Sequence, residues 1–533
     1  MKVLVSDPLA AEGLKLLSFG IDPDAKYQYE LDVNTGLSED EIIKIIGNYE
    51  ALIIRSGTQV TAKVIAVANN LKVIGRAGVG VDNVDVQAAS MKGIIVMNTP
   101  DGNTISAAEH TVSMMLSLSR NIPQANASLK NKEWNRKFFT GTEVYGKTLG
   151  VIGLGKIGFE VAKRAKAFEM NLIVYDPFTT KEHAAKIGAK LVSLDEVFSN
   201  SDYITLHLPR TKETENLIAK DTIAKMKDGV RIINVARGGI VNESDLTEAL
   251  KSGKVKGAAI DVFDKEPSID SPLFFAANAI VTPHLGASTE EAQINVAIDI
   301  VRQIRDFFEN NAVKNAVNMA SLSPEDLAEM KPFIELAEKI GLILCKIISS
   351  KGGIEEVEIR YAGDISGIKV APITVSFLKG LLQGIEENVN FVNASFLAGQ
   401  RGIKIKEVTV NKIEDLVNLI SVTVKTDKEE MTVAGTVFFG NNMRIIKIEN
   451  YNVDISPYGY ILLSRNEDIP GVVGKLGSKL AEEGINIANM QVSRSDQAKE
   501  ALMVTTIDQE ITKEILTEIQ NIPEIKEVKI VSL

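Results

Sequence analysis

The stretch 149-LGVIGLGKIGFEVAKRAKAFEMNLIVYDP-177 decides the fold. Leu149 to Ile152 is a run of β-type residues, Gly153, Gly155 and Gly158 follow in Gly-x-Gly-x-x-Gly spacing, and a helical pattern continues through Phe168. A second apolar run, Leu172 to Tyr175, ends on Asp176. In such a strand-turn-helix-strand unit the first glycine allows the tight bend, the second lets a pyrophosphate approach the backbone, and the third lets helix and strand pack closely. The start of the helix offers free N–H groups to phosphates. Asp176, 18 residues past Gly158, can accept from both ribose hydroxyls and repels the extra phosphate of NADP, which favours NAD.

Before the turn, short β-runs alternate with helical segments: MKVLVSD, ALIIRSG, LKVIGRAGVG and GIIVMNTP. The rhythm continues after it with DYITLHLP, VRIINVARGG, GAAIDVF and AIVTPH. Strands separated by helices imply parallel sheets covered on both sides, so two α/β units are expected, the second carrying the dinucleotide turn. A long helical segment, 290-EEAQINVAIDIVRQIRDFFEN-310, leads to a boundary. Beyond SLSPEDLAEMKP the pattern becomes two helical segments followed by alternating strands (NLISVTVKTD, EMTVAGTVFF, MRIIKIENYNVDI), an α+β arrangement. From Tyr460 the order reads β-α-β-β-α-β, which is ferredoxin-like. In its first helix Val472, Val473, Leu476 and Leu480 are expected to share the face that packs on a sheet.

At 533 residues the chain is long enough for three to four domains. Its 45% hydrophobic and 24% charged residues are ordinary for a globular protein. The 70 acidic and 59 basic residues are interspersed and give a net charge of −11, without a basic tract of the kind that neutralises a nucleic-acid backbone, so no nucleic-acid partner is expected. MKVLVSDPLA reads as strand and turn, and no apolar run reaches membrane-spanning length; a cytoplasmic protein with no membrane partner is expected. The single cysteine and four scattered histidines suggest no metal site.

Ligands of open α/β sheets collect at the carboxyl ends of the strands. Three such loops carry charged residues: Arg237 in 234-NVARGG-239, Glu266 in 261-DVFDKEP-267 and His284 in 281-VTPHLGAS-288. Oxidising a secondary alcohol requires a base for the hydroxyl proton, and histidine titrates near the working pH. A carboxylate on its other ring nitrogen would fix the tautomer, and an arginine can fork onto a substrate carboxylate. Together they suit a 2-hydroxy acid. Singly, Arg237 and Glu266 would read as surface ion-pair residues. Of the other histidines, His183 in KEHAAK reads as a solvated surface residue, His110 in SAAEHTVSMM as packed or capping within its helix, and His207 in TLHLP as lining the cofactor pocket without reacting.

The motifs RSGTQVT, GRAGVGVDNVD, MNTPDGNTISAAEH, GKTLGVIGLGKIG, NVARGGIV, DVFDKEP and TPHLGAST, in this order, resemble the D-2-hydroxyacid dehydrogenase family, and within it the long, serine-pathway branch. The resemblance implies an NAD-dependent oxidation of 3-phosphoglycerate, with Arg237 orienting substrate, Glu266 partnering the histidine and His284 as acid/base. It implies a fold of two doubly wound Rossmann-like domains, the dinucleotide domain (101–286) inserted into a substrate domain (1–100 and 287–316), then an intervening α+β domain (317–455) where an anionic effector binds and a ferredoxin-like ACT domain (459–533). Substrate contacts are implied for Arg55, Ser56, Gly57, Arg76 and Asn103, and for Arg136 reaching a partner subunit's site. Glycines beside Arg55 and Arg76 also suit an anion nest. Cofactor contacts are implied for Val79, the turn residues Gly153, Gly155, Lys156, Ile157 and Gly158, and for Asp176, His207, Pro209, Ala236, Asp261, Gly286 and Ala287. In the ACT module Asn466, Asp468 and Asn486 match positions that hold L-serine between two copies, which implies a homodimer or homotetramer. The alternatives are a dehydrogenase for another D-2-hydroxy acid, and an NAD-sensing corepressor-like protein on the same fold.

Overall fold

The computed structural model describes residues 1–17, 28–310, 312–319, 324–348, 353–386, 389–411, 413, 416–439, 441–494 and 499–533. Strands β1 (Lys2–Val5), β2 (Glu30–Val33), β3 (Ala51–Ile54), β4 (Val73–Arg76) and β5 (Ile95–Met97) form a parallel sheet of order β2-β1-β3-β4-β5. All four residues of β3 are buried, as expected where helices cover both faces. One of these covers comes from far along the chain. Helix Glu290–Asn310 returns with Val296, Ile300 and Ile304 in the core of this first sheet, and a side chain at Gly75 would collide with the last two.

The second sheet contains β6 (Thr148–Ile152), β7 (Asn171–Tyr175), β8 (Lys190–Leu191), β9 (Tyr203–Leu206), β10 (Val230–Asn234), β11 (Val255–Ile260) and β12 (Ala279–Val281). Its order, β12-β11-β10-β9-β6-β7-β8, is parallel throughout and reverses direction at β6. The gap between β6 and β9 is therefore the switch point at which such sheets open a crevice for ligands.

Strands β13 (Ile354–Gly363), β14 (Lys404–Val410), β15 (Asn418–Thr426), β16 (Glu430–Phe438), β17 (Asn442–Ile448) and β18 (Tyr451–Ile455) form a third sheet of order β14-β13-β15-β16-β17-β18. Here the sequence reading needs correction. β13 lies between helices Pro324–Ile348 and Ala371–Leu382 instead of after both, and pairs parallel with β14 and antiparallel with β15. Its alternation buries Val357, Ile359 and Tyr361 while charged residues between them face outward, a period that its many charges concealed.

β19 (Tyr460–Glu467), β20 (Ile487–Arg494), β21 (Glu500–Ile507) and β22 (Ile525–Ser532) make the last, antiparallel sheet, of order β20-β21-β19-β22. In helix Val472–Glu482, Val472, Leu476 and Leu480 are buried, but Val473 is 47% exposed, contrary to expectation, because it lies beyond the edge of the buried stripe. The opposite face of this sheet contributes Ile461, Leu463, Leu502 and Val504 to the core of the third sheet, so the two C-terminal units share one core. Among the described residues no helix is long and apolar enough to cross a membrane.

Candidate active site

The glycine turn joins β6 to helix Lys156–Ala167. Gly153 has φ of 92°, and a Cβ there would lie 2.4 Å from the His207 carbonyl oxygen; a Cβ at Gly158 would lie 2.1 Å from the Gly153 oxygen. Neither position accepts a side chain. Gly155 caps the helix without a side-chain bond to its first turn, which leaves the N–H groups there for a phosphate. At the end of β7, Asp176 accepts from the Leu154 and Phe178 N–H groups, both at 2.8 Å, which fixes its carboxylate beside the glycine turn. Lys156 forms an ion pair with Asp101, and Ile157 is packed against the core. His207 Nε2 lies 3.0 Å from Thr205 Oγ1, and loss of solvent pulls its pKa down to about 3, so it remains neutral at working pH. Pro209, exposed, follows it. The donor set fits a dinucleotide.

A cavity of about 680 Å³ opens between the strand ends of the first and second sheets. Arg55 after β3, Arg76 at the end of β4 and Arg237 after β10 line it, with Asp82 as a facing carboxylate. Burial first, and the neighbouring Arg237 charge second, pull the Arg76 guanidinium down to about 10, which still leaves it cationic near neutrality. Ser56, Val79 and Asn103 share the wall, and Asn103 Oδ1 is buried with no protein partner among the described residues. Gly57 does not line the cavity; a Cβ there would meet Asp7 at 2.6 Å. Arg136 stands exposed on the turn Arg136–Phe139, outside the cavity of this chain.

Two residues that hold this wall were missed in the sequence. Buried Asp7 accepts from the N–H groups of Arg55 (2.6 Å) and Thr58 (3.1 Å). Asn83 accepts from Arg76 Nε at 3.0 Å and donates to the carbonyls of Arg55 (2.7 Å) and Thr58 (2.6 Å). Asp7 follows β1 as directly as the other site residues follow their strands, and Asn83 lies within GRAGVGVDNVD, so strand-end position was the available signal.

On the opposite wall His284 Nδ1 lies 2.6 Å from Glu266 Oε2, while Glu266 Oε1 accepts from the Phe263 N–H at 3.0 Å. Burial alone would raise the Glu266 pKa, but the hydrogen bonds from His284 and Phe263 bring it below the usual carboxylate value. With Nδ1 committed, the ring presents Nε2 as its free nitrogen. Arg237 is anchored by its own Nη1 donating to the Ala236 carbonyl at 2.7 Å and by Asp82 at 3.4 Å from Nε. Asp261, fully buried, accepts from the Leu285 and Gly286 N–H groups at 2.8 Å, and Ala287 continues that turn into the cavity wall. His110 departs from its sequence reading: instead of packing within its helix it reaches Asp261.

In the C-terminal module Asp468 pairs with Arg494 Nε at 2.8 Å, and Asn486 Nδ2 donates to Asp508 at 2.6 Å. Asn466 is 3% exposed; its amide nitrogen donates to the Glu467 carbonyl, and its Oδ1 is buried without a partner among the described residues.

Comparison with known proteins finds family matches along the chain. Residues 112–286 match the NAD binding domain of D-isomer specific 2-hydroxyacid dehydrogenases, 329–449 the D-3-phosphoglycerate dehydrogenase intervening domain, and 460–524 the ACT domain. The D-3-phosphoglycerate dehydrogenase of Archaeoglobus fulgidus is 48% identical over 97% of each chain, and that of Bacillus subtilis 43% identical over 100% of this chain and 99% of its own. Among solved structures, an NAD-dependent formate dehydrogenase from Staphylococcus aureus in complex with NAD superposes with a TM-score of 0.54 at 33% identity, covering 60% of this chain and 100% of that one. A D-lactate dehydrogenase from Aquifex aeolicus complexed with NAD and lactic acid gives 0.52 at 28%, covering 58% and 96%.

Proposed function

The chain belongs to the D-3-phosphoglycerate dehydrogenase family, and from that premise we propose that Arg237, Glu266 and His284 carry the NAD-dependent oxidation of 3-phospho-D-glycerate at C2 to 3-phosphohydroxypyruvate, the first step of serine biosynthesis. One observation supports this most: a histidine-carboxylate pair faces three guanidinium groups across a single cavity. Arg55 and Arg76 serve the phosphate, and Arg237 forks onto the carboxylate. His284 Nε2 takes the C2 hydroxyl proton, and the ionised Glu266 stabilises the imidazolium that results. Bound NAD supplies the acceptor for the hydride leaving C2. The glycine turn and Asp176 hold the dinucleotide, and the turn around Gly286 shapes the floor beside it.

Residues 1–100 with 287–316 form the substrate side and 101–286 the cofactor side, a division favoured by helix Glu290–Asn310 packing on the first sheet; the intervening domain spans 317–455 and the ACT domain 459–533. L-serine is the effector, held by Asp468 and Asn486 of adjoining ACT domains in a homo-oligomer. Trp134 and Phe138, 81% and 84% exposed beside Arg136, favour a second subunit there.

The test is NADH formation with 3-phosphoglycerate against D-glycerate and D-lactate. A kcat/KM at least tenfold higher for the phosphorylated substrate is expected; equal values would remove the phosphate from the assignment.

A further inference from the structure

Helix Thr104–Arg120 starts at the cavity and packs along the second sheet against β10, β11 and β12. Asn103 at its cap, Ser106, His110 and Met114 recur at helical spacing and form one face. From Ser106 onward that face meets Asp261 and the segment 282–289. Ser106 Oγ lies 2.7 Å from Thr289 Oγ1; His110 Nε2 lies 3.2 Å from Asp261 Oδ1 and 3.3 Å from Thr282 Oγ1; Thr282 Oγ1 reaches Met114 Sδ at 3.9 Å.

Asp261 is the anchor of this turn. Its carboxylate accepts from Thr282 Oγ1 at 2.5 Å and from two N–H groups just beyond His284, and its carbonyl accepts from the His284 N–H at 2.8 Å. The anchor matters because His284 has φ of 55°, a left-handed conformation uncommon for any residue with a Cβ, and the hydrogen bonds of Asp261 brace the backbone at His284 and at the two residues after it. Burial would raise the Asp261 pKa; the hydrogen bonds from His110, Thr282 and Leu285 overcome this and hold it low. Among the described residues the His110 ring is the imidazole that reaches that buried carboxylate, its Nε2 lying 3.2 Å from Oδ1.

We propose that His110 is a positioning residue for the oxidation: its Nε2–H donates to Asp261, fixing the carboxylate that shapes the turn and thereby the aim of His284 Nε2 into the cavity. His110 touches neither substrate nor the transferred proton. The inference rests on His284 being the acid/base, and it ties that group to the helix whose cap, Asn103, faces the substrate cavity.

The experiment compares His110→Leu, His110→Gln, His284→Ala and the double variant His110→Leu/His284→Ala in the full-length enzyme, with kcat, KM for 3-phosphoglycerate and thermal midpoint measured for each. His110→Leu should lose roughly ten- to a hundredfold in kcat, the usual result of a small misplacement of a reacting group. KM should stay within about twofold, because Arg55 and Arg76 belong to the other sheet. His110→Gln, whose amide can donate from nearly the same point, should recover most of the loss. The double variant should be no slower than His284→Ala alone, since a residue acting only through His284 has nothing left to position. Should the leucine variant not fold, His110→Asn, with an amide too short to reach Asp261, takes its place with the same expected loss. Wild-type kcat in the leucine variant, equal losses in the leucine and glutamine variants, or multiplied losses in the double variant would each overturn the proposal. If His284→Ala itself turns over normally, it is the acid/base assignment of His284 that fails.

Discussion

The catalytic cleft gathers three guanidinium groups around one cavity, whereas in the C-terminal module the candidate effector residues Asp468 and Asn486 are already paired, although Asn466 Oδ1 has no partner among the described residues. In the cleft, three guanidinium groups face two carboxylates, Asp82 and the His284-bound Glu266, and Asn103 Oδ1 has no protein partner among the described residues. In the module, Asp468 is paired with Arg494 and Asn486 with Asp508. A ligand entering the cleft can satisfy Asn103 Oδ1, whereas one entering the proposed effector site competes with Arg494 for Asp468 and with Asp508 for Asn486. The proposed catalytic site is thus preorganised, and the proposed effector site binds its ligand in competition with pairs the fold already makes.

The strongest way to break this contrast is at the proton acceptor. His284→Ala should lower kcat by roughly two to four orders of magnitude, the usual worth of a positioned acid/base, while calorimetry shows NADH still bound. Turnover close to wild type would mean that the cleft is not organised around this residue. Next in size is Arg76→Ala. Losing a charge-assisted hydrogen bond of about 1.5–3 kcal/mol should raise KM for 3-phosphoglycerate roughly ten- to a hundredfold, with a much smaller change for D-glycerate. Parallel losses on both substrates would assign Arg76 to the loop around Asn83 instead of to the phosphate.

Glu266 sharpens the contrast through pH. Held below its usual range by His284 and Phe263, it is ionised throughout the neutral region and favours the imidazolium of His284. Glu266→Gln should therefore shift the acid limb of the kcat/KM profile to lower pH. The sign for stability follows as well. A carboxylate with a depressed folded pKa contributes fully above its unfolded value and loses that contribution as the pH falls through the folded one, so wild type and variant should converge in thermal midpoint on the acid side. A profile that stays in place would separate Glu266 from the proton transfer.

Legibility in the sequence differed between the same two regions, for a physical reason. The cleft was readable because strand ends and glycine turns are local: Gly153, Arg237 and His284 each follow closely on the end of a strand, and Gly158 lies in the first turn of the helix that Gly153 leads into. Asp7 was missed because its partners, Arg55 and Thr58, lie about fifty residues away and only the sheet order unites them. His110 was misread because helical spacing shows which face a residue occupies and says nothing of a carboxylate delivered by β11. β13 escaped because its charged residues weaken the hydrophobic signal of a strand whose buried side chains alternate with them. Val473 failed at the margin of a face, where one residue of helical phase separates core from solvent.

The smallest expected effect tests the module itself. In the proposed effector site Arg494 Nε already occupies Asp468 Oδ2, so it competes for that carboxylate with the ammonium group of a bound amino acid. Arg494 is 73% exposed on its side chain, and an ion pair of that exposure is worth at most about 1 kcal/mol. Arg494→Ala should therefore strengthen serine inhibition by no more than roughly fivefold, with uninhibited kcat unchanged. Asp468→Ala in the same assay should abolish the inhibition, because it removes the acceptor and not merely its competitor. The two substitutions break the same ion pair, so a fold-supporting role would make them behave alike, whereas an effector site makes them move inhibition in opposite directions. Equal loss of inhibition in both would identify the Asp468–Arg494 pair as a structural clamp of the module, and the contrast with the cleft would then lie in rigidity and not in competition for a ligand.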